Sequence, residues 1–166
     1  MPNNERPHVL ILPEDKAFAE MANGFLLEVD NDRQARVEKF GGGKEGLRRR
    51  VIELLPSLGR YLERSLVVLF DGDRKDSPLD FWAEVQAERS ATRVFFVWTR
   101  AEAEDLRREF MNAGYLVEGN HLEGIGKVLA TDCRDHSWNK WACEQLTDCH
   151  TSQADGLATL REILFN

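Results

Sequence analysis

Residues 66–70, Leu-Val-Val-Leu-Phe, form an unbroken apolar run that ends abruptly at Asp71-Gly72-Asp73-Arg74-Lys75-Asp76. A run with no polar alternation suits a strand covered on both faces, as in a parallel sheet, and suits a half-solvated strand badly. His8–Leu12 and Arg93–Trp98 repeat the pattern and close at Pro13-Glu14-Asp15 and at Thr99. Helical periods lie between the runs. Asp15–Asn23 carries Phe18, Met21 and Ala22 on one side, with Asn23-Gly24 as its stop. Phe25–Val29 reads as a second strand. Leu47, Val51, Leu54, Leu55, Leu58 and Leu62 mark a buried helical stripe. Ser77-Pro78 opens a helix over residues 78–89, and Thr99 reads as the N-cap of one running through Leu106 and Phe110 to Met111. Asn112-Ala113-Gly114 closes it, and Tyr115–Val117 suits a short last strand.

Such alternation predicts an α/β fold: a parallel β-sheet of about four strands, right-handed crossovers and helices on both faces. Beyond it, segments 125–133, 138–146 and 153–165 read as a polar, helical C-terminal extension. The expected organisation is an α/β domain over residues 1–118 and an extension over 119–166 packed on the same domain. At 166 residues the chain is long enough for one full core.

Ligands of open α/β sheets collect at the carboxyl ends of strands, so the carboxylates at those ends are the candidate site. Asp71 and Asp73, two apart around a glycine, can both reach one hard cation. Mg²⁺ is usually held so, by one or two carboxylates, with water and substrate phosphate completing its shell. If the first and third strands are adjacent, Glu14 faces this pair across a narrow cleft. A glutamate opposite a DxD pair suits phosphoryl transfer, the glutamate sharing the metal or shuttling a proton.

Other motifs carry less. Phe40-Gly41-Gly42-Gly43-Lys44-Glu45-Gly46 departs from GxxxxGK[ST] in glycine spacing and in the residue after the lysine, and reads as a turn before a helix. Lys39, Lys44, Arg48, Arg49 and Arg50 form the one dense basic patch, either a solvated helix face or a phosphate contact. A net charge of −7 means that any contact with nucleic acid needs that patch, a bound metal or a partner. Cys133, Cys143 and Cys149, with His136 and His150 nearby, lack the tight CxxC pair of a zinc site, and they read as buried or spectator thiols. Trp138 and Trp141, three apart, read as core rather than interface. No apolar run approaches the roughly 20 residues of a bilayer span, and the N-terminus lacks the pattern of a signal peptide. The expected compartment is the cytoplasm, with no membrane contact.

Val-Leu-Ile-Leu-Pro-Glu14, followed later by Asp71-Gly72-Asp73 after a second apolar strand, resembles the Toprim domain of topoisomerases, primases and OLD-family nucleases over about residues 8 to 112. Asp15 stands where that family usually has glycine. Asp76 takes the last position of its DxDxxG motif, as a third ligand or a turn residue. The resemblance implies Glu14 as general acid/base, and Asp71 and Asp73 as ligands of Mg²⁺ or Mn²⁺. It implies cleavage or transfer of phosphodiesters in DNA or RNA, with Lys44, Arg48, Arg49 and Arg50 guiding phosphate, and work beside an ATPase in genome defence or repair. Two alternatives remain. A receiver domain of two-component signalling also places acidic residues after its first strand, a phosphorylated Asp after its third and a Thr after its fourth. Glu14-Asp15, Asp71 and Thr99 satisfy that pattern, but the span from Glu14 to Asp71 is too long and no lysine follows Tyr115–Gly119. The other alternative is a catalytically inactive Toprim-like module that binds a partner protein.

Overall fold

The computed structural model describes residues 8–29, 35–40, 42–61, 63–72, 93–114, 122–138, 146–150 and 156–165. The expected helix over 78–89, the strand at 115–117, Trp141 and Cys143 lie outside these residues, as do Asp73 and Asp76.

The described chain is an α/β sheet with helices on both faces. Its strands are β1 (His8–Pro13), β2 (Ala35–Val37), β3 (Arg64–Asp71), β4 (Val94–Thr99) and β5 (Leu146–His150), and its helices α1 (Lys16–Leu27), α2 (Gly43–Arg60), α3 (Ala103–Asn112), α4 (Leu122–His136) and α5 (Gly156–Phe165). The sheet order is β2-β1-β3-β4-β5. The first four strands are parallel, and β5 joins antiparallel to β4. The order reverses between β1, whose chain leaves toward β2, and β3, whose chain leaves toward β4. Open α/β sheets bind their ligands at such a switch point, here the carboxyl ends of β1 and β3.

The unbroken apolar runs behave as a doubly covered strand must. Every residue of β1 and of β4 is buried. Alternate residues feed two cores. Leu10, Leu12, Leu66, Val68, Phe70, Phe96 and Trp98 meet Leu47, Val51, Leu55 and Leu58 of α2 on one face. Val9, Ile11, Val67, Phe95 and Val97 meet α1, α3, α4 and α5 on the other. Of the predicted stripe, Leu47, Val51, Leu55 and Leu58 are buried in α2, Leu54 is partly buried and Leu62 lies outside the described residues; each fully buried Leu or Val contributes about 1.5–3 kcal/mol.

Several local expectations are corrected. Phe25–Val29 is not a strand: α1 runs through Gly24 to Leu27. Phe25 and Leu26 extend the Phe18, Met21, Ala22 stripe at helical spacing and pack on the same core. Gly24 is therefore a contact point rather than a stop. A Cβ there would lie 2.0 Å from the Glu123 carbonyl oxygen, and one at Gly126 would lie 1.9 Å from that of Met21. The two glycines let α1 and α4 cross backbone to backbone. The second strand is instead Ala35–Val37, and backbone pairing with Val9–Ile11 holds it. Thr99 is the last residue of β4 rather than a cap, and Glu102 occupies the N-cap of α3. Trp138 sits in a left-handed turn (φ 64°) after α4, and Leu146 begins β5, so the segment 138–146 does not form the expected helix at either end.

The amino ends of the strands are tied by arginines. The Arg93 guanidinium donates to the Tyr61 and Arg64 carbonyls, at 2.9 Å each, and to that of Leu58. Arg64 donates to His8 Nε2 at 2.7 Å and lies over the Tyr61 ring.

Candidate functional site

Glu14 follows β1 directly. Its main-chain N–H donates to the Leu69 carbonyl at 2.9 Å, continuing the ladder with β3 by one residue. Its carbonyl accepts from the N–H groups of Gly42 and Gly43, at 3.2 and 3.3 Å. Both glycines have positive φ (78° and 88°), which lets the chain turn sharply over Glu14 into α2. The glycine stretch thus seats the N-terminus of α2 on the end of β1. Two amides that a phosphate cradle would need are already used.

The Glu14 side chain turns toward β3. Its Oε2 accepts the main-chain N–H of Asp71 at 3.0 Å. The residue is 8% exposed, and burial pushes its carboxyl above the usual glutamate range. The Asp71 N–H bond and the Lys44 ammonium pull it down, while Asp15 and Asp71 push it up. Lys44, in the first turn of α2, is the cation whose charge acts on Glu14. Asp15 has a separate duty: its Oδ1 accepts from the Phe18 N–H at 3.1 Å and caps α1.

Asp71 ends β3 and stands in parallel register with Thr99, the last residue of β4. The Gly72 N–H donates to the Thr99 carbonyl at 3.0 Å. A Cβ on Gly72 would meet Trp98 Cδ1 at 2.5 Å and that same carbonyl oxygen at 3.0 Å, so the turn after Asp71 needs glycine for close approach. Trp98 packs on Phe70, ring centroids 5.9 Å apart.

The described part of the site is therefore Glu14, Asp71, Gly72 and Lys44, gathered at the β1/β3 switch point with the end of β4 beside them. Asp73 and Asp76 lie outside the described residues, and among those described no group of three His, Cys, Asp or Glu side chains is poised to hold a metal. In the basic patch, Arg50 is held by carboxylates. Arg50 bonds Glu53 at 2.7 Å and lies 3.9 Å from Glu38, which also pairs with Arg36. Arg49 is exposed and Arg48 half-buried. Cys133 is buried, and burial pushes its thiol far up, so it is no nucleophile. Trp138 is core: it stacks on Phe25 at 5.9 Å and donates its Nε1–H to the Leu157 carbonyl at 2.9 Å. Nothing in the primary structure signals that Trp98 borders the Asp71 turn; that neighbour is visible only in the folded chain.

Among family models, curated proteins and solved structures, none matches this chain.

Proposed function

We propose that the protein is a divalent-metal-dependent phosphodiester-cleaving enzyme of Toprim type, acting on DNA or RNA. One observation carries the reading. The Glu14 carboxylate, from the end of β1, grips the main chain of Asp71 at the end of the neighbouring strand. Two acidic motifs far apart in sequence thus share one crevice.

The residues present suit Mg²⁺ or Mn²⁺. Carboxylates at one strand end are the donor chemistry such ions take, with water and substrate phosphate completing the shell. The Thr99 hydroxyl at the end of β4, which has no hydrogen-bond partner among the described residues, adds to the fit. Asp71, with Asp73, would hold the ion, and Asp76 would add a third ligand. When bound, the ion would supply electrostatic neutralisation of charge on the phosphoryl oxygens. Glu14 supplies the proton chemistry. Burial keeps its carboxyl protonated to higher pH than an ordinary glutamate, so it can donate to the leaving oxygen and recover the proton afterwards. Lys44 and the N-terminus of α2 place positive potential beside it, and Arg48 and Arg49 continue that potential along α2. With a net charge of −7, an ATPase partner in defence or repair would supply most of the contact with nucleic acid.

The Asp71–Thr99 pairing also suits a receiver. The antiparallel β5 speaks against it: His150 pairs with Phe95, so the carboxyl end of β5 lies at the opposite edge from Asp71. A lysine after that strand would not reach the acidic crevice.

The test is nicking of supercoiled plasmid in Mn²⁺ by wild type, Glu14→Gln and Asp71→Asn, with acetyl phosphate labelling alongside. Nicking by wild type that both variants lose is expected. Stable phosphorylation of Asp71 without nicking would establish the receiver instead. Metal-independent nicking retained in both variants would refute the assignment of the site.

A further inference from the structure

Thr99 and Trp98 are chemically out of place. Thr99 is fully buried and Trp98 is 2% exposed, yet neither Thr99 Oγ1 nor Trp98 Nε1 has a hydrogen-bond partner among the described residues. Buried hydroxyls and indole N–H groups are normally paired, and an orphan signals a water, an ion or a ligand-linked role. A valine would have continued the Val-Phe-Phe-Val pattern of β4 at no polar cost.

Both orphans border the same turn. Residues in register on parallel strands share a face of the sheet, so the Thr99 hydroxyl lies on the face of Asp71. Trp98 lies on the opposite face, where its Cδ1 approaches Gly72. Nε1 is bonded to that carbon, so the N–H edge of the ring borders the Gly72 backbone. The Asp71-Gly72 step is thus flanked from both faces by hydrogen-bonding groups without partners. Carboxylates that bind metal are themselves oriented by hydrogen bonds from neighbours.

We infer that Thr99 is a positioning residue of the acidic site, its hydroxyl donating to the Asp71 carboxylate when that carboxylate holds a divalent cation. The inference rests on the metal-dependent reading above and deepens it. The buried hydroxyl has no hydrogen-bond partner among the described residues. In the loaded protein the bond fixes which oxygen of Asp71 faces the ion.

The experiment is titration of the full chain with MnCl₂ by calorimetry, with thermal unfolding in the absence of metal. Wild type, Thr99→Val, Thr99→Ser and Asp71→Asn are compared, and Thr99→Ala replaces the valine variant if that fails to fold. Thr99→Val is expected to unfold at or above the wild-type temperature without metal and to bind Mn²⁺ about 10–100-fold more weakly. Thr99→Ser is expected to recover most of the affinity. A purely structural hydroxyl gives the opposite pattern, a lower unfolding temperature with Mn²⁺ affinity unchanged. Unchanged affinity in Thr99→Val overturns the inference whatever its stability, provided that Asp71→Asn loses binding. If wild type binds no Mn²⁺, or Asp71→Asn binds it equally well, the metal-dependent reading itself fails and takes the inference with it.

Discussion

Replacing Glu14 by alanine and by glutamine separates the two things its side chain does. Glutamine keeps an oxygen to accept the Asp71 N–H, a bond of 3.0 Å, and removes the buried charge. Alanine removes both and leaves a part-buried amide with no acceptor. That loss is worth about 1–3 kcal/mol, which for a chain of this size is about 2–12 °C in Tm. Glu14→Ala should therefore unfold below Glu14→Gln by that margin at every pH. The comparison with wild type carries the sign of the titration. Burial, with Asp15 and Asp71, raises the Glu14 carboxyl in the folded state despite the Asp71 N–H and Lys44. The folded chain then holds this proton more firmly than the unfolded chain does. Glu14 favours folding most below the ordinary glutamate value of 4.5, and that contribution is lost as pH rises toward its raised folded value. The glutamine variant has no such slope, so its Tm should gain on wild type across that interval and then hold a constant lead. Scanning calorimetry from acid to neutral pH measures both effects. Equal Tm values for the alanine and glutamine variants would show that the carboxylate does not hold Asp71. A pH-independent difference between glutamine and wild type would refute the role of burial.

Other substitutions test the frame around the site. Gly126→Ala should destabilise at or beyond the upper end of the about 1–3 kcal/mol of an overpacked core, because its Cβ would meet the Met21 backbone oxygen at 1.9 Å; urea unfolding measures this. Gly72→Ala should cost less, since the Trp98 ring can shift, and its signature should be a changed Trp98 fluorescence with weakened Mn²⁺ binding. Arg93→Ala should cost about 1.5–3 kcal/mol or more for carbonyls that lose a charged donor, yet leave Mn²⁺ affinity intact, because Arg93 works at the opposite edge of the sheet. Loss of metal binding in that variant would show that the two edges are coupled.

The frame was legible where burial on both faces leaves no choice of residue. The apolar runs at residues 8–12 and 66–70 fall within β1 and β3, the run at 93–98 lies in β4 from Val94 on, and the Leu47–Leu58 stripe lies in α2. The meeting of Glu14 with Asp71 was expected on the condition that the first and third strands are neighbours, and the pairing of β1 with β3 meets that condition. What escaped depends on partners remote in sequence. Phe25–Val29 is a short apolar run that strand and helix both tolerate, and only the crossing of Gly24 with Gly126 decides for helix. Ala35–Val37 is too short to show a period, and Leu146–His150 mixes Leu, Thr, Asp, Cys and His; each is a strand because a neighbour supplies the ladder. At the site, the residue types announced the carboxylates. The grip of Glu14 on a main-chain amide and the indole beneath Gly72 are tertiary facts with no local signature.

The most direct measurement is the anomalous difference map of crystals grown with Mn²⁺. The account predicts a single strong peak about 2.1 Å from a carboxylate oxygen of Asp71, in the crevice it shares with Glu14, and no such peak in Asp71→Asn. A strong peak elsewhere, or none at this crevice at saturating Mn²⁺, would contradict it.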